Sequence, residues 1–253
     1  MSKPIVWSSG GGVQSNAIAA LICQGKLPKP DLAVMADTGR EYSPVWDYQN
    51  KWVIPALREV GVELHIASHD LATVDLWSGK HGDTLIIPAF TDQAGSKGAL
   101  PKFCNSEWKV RVVQRFCRQH GIKDADQWIG FTIDEMDRMR VYQDGKPWQH
   151  VYPLIDMRLT KPDCIALVER MGWPKPPGSS CWMCPFRSDY EWREMLTECP
   201  GDFDKAIAFE REEIQARDPH AWLHRSCKPI GEVDFTAEPD LFSKPCNSGM
   251  CFT

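Results

Sequence analysis

No apolar run long enough to cross a membrane occurs in this 253-residue chain. The longest, Ala17 to Cys23, falls far short of the roughly 20 residues a span requires, and mean hydropathy is −0.37. The opening Met-Ser-Lys-Pro-Ile-Val-Trp lacks the apolar segment and small-residue cleavage site of a signal peptide, so a soluble, cytoplasmic protein without a membrane partner is expected. Basic charge in excess is missing too. A net charge of −5 and a pI near 5.8 exclude a globally basic nucleic-acid coat while permitting a local basic face. Internal repeats and low-complexity tracts are absent, and with 43% hydrophobic and 25% charged residues the composition excludes disorder, collagen and a coiled-coil rod. It fits one folded domain, or one with a modest appendage.

Cysteine and tryptophan are plentiful. Ten cysteines in a reducing compartment do not make a disulfide framework, and a core of this size needs no staples, so some are expected to be ligands or nucleophiles. Eleven tryptophans are read as core packing rather than a row of base-stacking platforms. Ile5-Val6-Trp7 runs into Ser8-Ser9-Gly10-Gly11-Gly12, after which Asn16 to Cys23 has helix-forming composition. Leu32 to Ala36 and Val62 to Ala67 read as further strands, and Pro44 to Val60 carries apolar residues at helical spacing. Asp70 to Lys102 is expected to be a long loop with local structure, a lid over one edge of the site. Helices are expected over Glu107 to His120, Pro162 to Met171, Asp189 to Leu196 and Phe203 to Ala216, with a strand over Gln127 to Phe131 and an irregular tail from Asp218. Strands alternating with helices indicate an α/β fold, a doubly wound and mostly parallel sheet with ligands at the carboxyl ends of its strands. Pro174, Pro176, Pro177 and Gly178 mark a boundary, giving a nucleotide-binding domain over 1–172 and a cysteine-bearing helical region over 173–253 on the same site.

A strand entering a glycine turn at a helix start gathers backbone N–H groups and the positive helix end around one point, as a phosphate requires. Simple strand-to-helix packing uses the same turn. Neither a Walker Gly-Lys-Ser/Thr nor the Gly-x-Gly-x-x-Gly of a dinucleotide fold is present. What Gly11-Gly12-Val13-Gln14-Ser15 resembles is the core of the Ser-Gly-Gly-x-Asp-Ser pyrophosphate loop of the ATP pyrophosphatase superfamily of adenine nucleotide alpha hydrolases. Gly10 stands in place of the first Ser and Gln14 in place of Asp. Asp37-Thr38-Gly39 is similar to the segment ending the second strand of the phosphoadenosine and adenosine phosphosulfate (PAPS and APS) reductases. Cys104-Asn105-Ser106-Glu107-Trp108-Lys109-Val110, Trp128-Ile129-Gly130, Tyr152-Pro153-Leu154 and Cys181-Trp182-Met183-Cys184 then resemble successive segments of their iron-sulfur members, from about residue 5 to residue 188. That PAPS reductase-like resemblance implies the fold above and an adenine nucleotide, bound by Ser8, Ser9, Gly10, Gly11, Gly12, Gln14, Ser15, Asp37, Thr38 and Gly39.

It also implies metal ligation by Cys104, Cys181 and Cys184. Asn105 replaces a second cysteine of the first segment, so the resemblance leaves one iron of a 4Fe-4S cluster open to solvent, sulfide, substrate or Cys251, as in the related tRNA-thiolating enzymes. A zinc site with Cys251 or a His, and plain packing thiols, are the alternatives. Cys23, Cys117 and Cys164 on apolar helix faces are read as packing. Cys227, after His224 and Arg225, is read as a surface thiol, and Cys199 has no partner at ligand spacing.

Sulfonucleotide reduction needs fixed cations on the sulfate. Lys109 remains, but Trp108 replaces an Arg of the family, and Thr132-Ile133-Asp134-Glu135 occupies the place of an Arg pair. The family's other chemistry is therefore favoured: attack on the α-phosphate of ATP with Mg, release of pyrophosphate, and displacement of the adenylated oxygen by sulfur. Lys109, Asp134 and the tail thiol Cys251 are the catalytic candidates, with Asp37 and Glu135 as further Mg candidates and Arg111, Arg115, Arg118, Arg138, Arg140 and Arg187 as a phosphate-binding rim. The partners implied are a nucleic acid acceptor and a cysteine desulfurase or thioredoxin-like donor of sulfur or electrons. Thiol-dependent reduction of APS or PAPS and a silent nucleotide sensor are the alternatives. Oligomeric state is not legible.

Overall fold

The computed structural model describes residues 3–68, 75–78, 83–95, 97–139 and 146–235. Along the chain run β1 (Ile5–Ser9), α1 (Val13–Cys23), β2 (Leu32–Asp37), α2 (Ser43–Tyr48), α3 (Ile54–Glu59) and β3 (Leu64–Ser68). The short strands β4 (Trp77–Ser78), β5 (Thr84–Leu85), β6 (Phe90–Thr91) and β7 (Gly98–Ala99) follow. Then come α4 (Arg111–Gln119), β8 (Ala125–Trp128), β9 (Trp148–Val151), α5 (Pro153–Asp156), α6 (Lys161–Glu169), α7 (Asp189–Glu198), α8 (Pro200–Phe209) and β10 (Ala221–Trp222). No helix among the described residues is long and apolar enough to cross a membrane.

The chain divides into two compact units, one formed within 1–71 and 109–179, the other within 72–108 and 180–253. The first carries a five-stranded sheet in the order β3-β2-β1-β8-β9, parallel at every pairing. Parallel strands buried on both faces read as continuous apolar runs, and Leu32 to Ala36 of β2 is buried throughout. Helix α1 is buried from Ser15 to Ile22 and packs on α6, whose start is secured by a reciprocal Thr160–Asp163 capping box. Helix α4 packs on β2 and β3. The chain leaves β1 toward β2 on one side and returns to β8 on the other, so the order reverses at β1, the switch point where doubly wound sheets bind ligands.

The expected Pro44 to Val60 helix runs over Ser43–Glu59 and contains a π-helical turn at Gln49–Val53. Pro55 has no N–H to give the carbonyl four residues back, and the Ile54 N–H reaches Gln49 instead. The expected Gln127 to Phe131 strand lies earlier, at Ala125–Trp128. Strand β9 carries no apolar signal, because all four of its residues are only half-buried. Five of the eleven tryptophans, Trp7, Trp108, Trp128, Trp173 and Trp192, are buried in the core, and the other six are half-buried.

The second unit holds the antiparallel sheet β10-β6-β7, the hairpin β4-β5, α7 and α8. Here the region expected to be a long loop supplies core, since Leu85, Ile86, Ile87 and Ala89 are buried. The tail expected to be irregular contains β10 and a 3-10 turn over Ile230–Glu232. Buried Glu210 organises it, accepting the Leu223 N–H at 2.7 Å and the Ile230 N–H at 2.6 Å.

Candidate functional site

The glycine loop joins β1 to α1 at the switch point. Gly11 has φ +70°, and a Cβ there would lie 2.8 Å from Val45 Cγ1 and 2.9 Å from Met35 Cε. Both the left-handed backbone and the close approach of its neighbours demand glycine. Gly12 has an ordinary φ of −91°, yet a Cβ would lie 2.4 Å from Ser179 Oγ. Opposite, Gly130 brings the loop after β8 against the start of α1, where a Cβ would lie 3.2 Å from Gln14 Cβ and 3.3 Å from Ser15 N.

The serines brace the loop. Gly10 N–H donates to Ser15 Oγ at 2.8 Å, Gly11 N–H to Ser9 Oγ at 3.3 Å, and Gln127 Nε2 to Ser8 Oγ at 2.6 Å. Each hydroxyl accepts in these bonds. Two buried residues that sequence reasoning missed hold the Gly11 carbonyl: Asn16 Nδ2 at 3.1 Å and Gln49 Nε2 at 3.3 Å, with Gln49 also donating to Asn16 Oδ1 at 2.9 Å. Polar side chains amid apolar helix faces were the available signal. Helix α1 begins without a side-chain cap or an acidic residue in its first turn, so its leading N–H groups, which no helix satisfies internally, face the switch point.

Beside it, the turn after β2 is held by Gly39 N–H donating to Asp37 Oδ1 at 2.7 Å and Arg40 N–H to Thr38 Oγ1 at 3.3 Å. Lys109 Nζ lies 3.4 Å from Oε1 of buried Glu41, a partner that sequence reasoning did not name. The segment after β8 is committed to structure. Asp134 Oδ2 accepts the Lys161 N–H at 2.7 Å at the start of α6, and Glu135 takes Gln14 Nε2 at 2.9 Å and the Arg138 guanidinium. Arg138 is buried, 4.2 Å from the Phe131 ring centroid, so it does not belong to an exposed rim. Arg140 lies outside the described residues.

In the second unit the Cys181–Cys184 turn is closed by Cys184 N–H to Cys181 O at 3.0 Å. Buried Arg187 clamps it, Nε to Cys181 O at 3.3 Å and Nη2 to Ser180 O at 3.1 Å; this cation too faces inward. Cys104 N–H donates to Ile86 O at 2.9 Å, and Lys102 lies 5.4 Å from the Phe186 ring centroid, so the Cys104 segment runs beside the Cys181–Cys184 segment. All three cysteines are half-buried. Among the described residues, however, no group of three or more His, Cys, Asp or Glu side chains is arranged to hold a metal ion. Cys246 and Cys251 lie outside the described residues.

Burial pushes the Cys117 thiol up to about 11. The Cys164 thiol rises to about 12, through burial and then the carboxylates of Asp163, Asp134 and Glu135. Both are protonated packing groups at neutral pH. Cys227 is also raised by burial, so His224 and Arg225 do not activate it.

Fold and site define a doubly wound α/β protein with a glycine loop at the switch point of its sheet. The chain matches no family model and no curated protein. Among solved structures it is similar to a phosphoadenylyl-sulfate (PAPS) reductase from Candida auris in its phosphate complex, at 16% identity over 71% of this chain and 81% of that one, with a TM-score of 0.46. It is also similar to the U34-tRNA thiolase NcsA from Methanococcus maripaludis with its 4Fe-4S cluster, at 14% identity over 91% of this chain and 72% of that one, with a TM-score of 0.43. Likeness at this level assigns no residue role to this chain.

Proposed function

We propose that this chain is an ATP-binding, adenylating enzyme of the PAPS reductase-like class that serves sulfur transfer to a nucleic acid. The observation that carries the reading is the braced glycine loop, with the uncapped start of α1 at the switch point and backbone N–H groups gathered for a phosphate. An acceptor oxygen attacks the α-phosphorus, the bond to the bridging oxygen breaks, and pyrophosphate leaves with that electron pair, its charge screened by the Mg that accompanies ATP. A persulfide sulfur from a desulfurase then attacks the adenylated carbon and AMP leaves with the C–O electron pair, after which a dithiol of a thioredoxin-like donor supplies the two electrons that cleave the resulting disulfide and leave the sulfur on the acceptor. Lys109, held by Glu41, is the candidate cation for the phosphates, and Asp37 the candidate outer ligand of Mg. Asp134, occupied with α6, serves as scaffold in this reading.

Sulfonucleotide reduction is disfavoured because Arg138, the cation of the segment after β8, is buried with Glu135, whereas the Lys109 side chain stays 24% exposed beside Glu41. The test is calorimetry with ATP and APS followed by assay of pyrophosphate, with and without nucleic acid. ATP binding with pyrophosphate release supports the reading. Thioredoxin-dependent sulfite release from APS replaces it with the reductase, and ATP binding without turnover replaces it with a sensor. The cysteine set is tested separately by iron, sulfide and zinc content after purification without oxygen. About four irons and four sulfides per chain would show that the protein carries a cluster, with Cys104, Cys181 and Cys184 as its candidate ligands.

A further inference from the structure

Three side chains of the second unit form a relay that nucleotide binding does not use. His224 Nδ1 lies 2.8 Å from Ser226 Oγ, and His224 Nε2 lies 3.0 Å from Asp189 Oδ1. The backbone fixes the direction of both bonds. Ser226 N–H also reaches Nδ1, at 3.2 Å, and an amide nitrogen can only donate. Nδ1 therefore carries no hydrogen, so the serine hydroxyl donates to it while Nε2–H donates to the carboxylate. Burial lowers the His224 pKa below 6.5 in spite of Asp189, so at pH 7 the imidazole is a neutral base.

Each member is held from outside the relay. Asp189 opens α7 behind a Ser188–Glu191 capping box and takes the Arg225 guanidinium on its other oxygen at 2.7 Å. The His224 ring stands edge-on to Phe235, with centroids 5.7 Å apart, and Cys227 N–H closes the turn onto His224 O at 3.0 Å. The hydroxyl end meets solvent. Ser226 is half-buried beside exposed Arg225, and exposed Lys97 spends one of the three donors of its ammonium on Ser226 O at 2.7 Å. The neighbouring thiol is no rival nucleophile, because burial raises the pKa of Cys227.

We propose that Ser226 is a nucleophile with His224 as its base and Asp189 as the positioning residue, forming a second active centre that hydrolyses short-chain carboxylic esters. Ser226 Oγ attacks the carbonyl carbon while His224 Nδ1 takes its proton; the bond to the alcohol oxygen breaks, and the alcohol leaves with that electron pair and the proton from Nδ1. Water then gives its proton to the same nitrogen, attacks the acyl carbon and releases the acid, and the proton returns to Ser226. The Lys97 ammonium is the cation at hand for the oxyanion. The ring is turned over relative to the serine-protease arrangement, in which Nε2 faces the serine; either nitrogen is a base once a carboxylate holds the other. A hydroxyl at the surface admits a short acyl chain, and an ester needs only one proton for its leaving group.

The test treats wild type, Ser226→Ala, His224→Gln, Asp189→Asn and Cys227→Ala with a fluorophosphonate and with p-nitrophenyl acetate. Labelled peptides are located by mass, p-nitrophenolate is followed by absorbance, and thermal unfolding checks folding. Wild type should take one fluorophosphonate on Ser226 and hydrolyse the ester. Ser226→Ala should lose both reactions, His224→Gln should slow both roughly 100- to 10,000-fold, and Cys227→Ala should match wild type. The rate should rise with pH through the histidine's lowered value and then level off, and Asp189→Asn should move that rise to lower pH, because the carboxylate raises the His224 pKa. An unreactive wild type, a label on another residue, or ester hydrolysis unchanged in Ser226→Ala overturns the proposal. An unmoved pH profile in Asp189→Asn removes Asp189 from the relay. ATP binding is untouched by any of these results.

Discussion

Gly11→Ala isolates the demand that the loop places on its backbone. Gly11 and Gly25 share nearly the same left-handed φ, +70° and +68°, but a Cβ on Gly25 meets nothing within 4 Å, whereas one on Gly11 runs into Val45 and Met35. Gly25→Ala should therefore cost only the backbone strain of about 1–2 kcal/mol. Gly11→Ala adds overpacking of about 1–3 kcal/mol, for a total of roughly 2–5 kcal/mol. Met35 and Val45 are both buried and have little room to yield. Urea unfolding of the two variants beside wild type measures the difference as a shift of midpoint at constant slope. The larger loss should be accompanied by weaker ATP binding, because the Gly11 carbonyl anchors Asn16 and Gln49. Equal stability losses in the two variants would refute the packing of the loop described above.

Glu210→Gln sets an amide N–H₂ against one of the two N–H donors now held, at a cost of roughly 2–3 kcal/mol in denaturant unfolding. A change within error would mean that Leu223 and Ile230 are not anchored by this side chain. Burial holds His224 below its usual value of 6.5 despite Asp189 at 3.0 Å. The unfolded chain then binds the extra proton first, so the histidine's share of stability is full above 6.5 and falls as pH drops below it. His224→Gln should flatten that decline below about pH 6.5; an unaltered profile would assign it to other groups.

Much of the first unit was legible because its signals are local. Apolar runs flanked by glycine turns locate β1, β2 and β3 to within about two residues, and the order of residues places a glycine loop between β1 and α1 without any tertiary knowledge. Strand β9 escaped because a half-buried edge carries neither an apolar run nor a clean alternation. The site's supporting residues escaped for a different reason. Gln49 and Asn16 read as polar interruptions of helices until the fold sets both against the Gly11 carbonyl, and Glu41 becomes the partner of Lys109 only when the turn after β2 meets the segment before α4.

The residue types of the loop, its phosphate-favouring backbone and the alternation that specifies a parallel sheet are determined by the sequence alone, since each depends on neighbours within a few positions. Which charges remain for chemistry is a tertiary decision. Arg138 and Arg187 look like rim cations in the sequence, yet burial turns one onto Glu135 and the other onto the carbonyls of Ser180 and Cys181, because a guanidinium taken from water must find acceptors where the fold supplies them. Gly12 shows the same division: φ −91° suits any residue, and only Ser179, brought from far along the chain, makes it glycine.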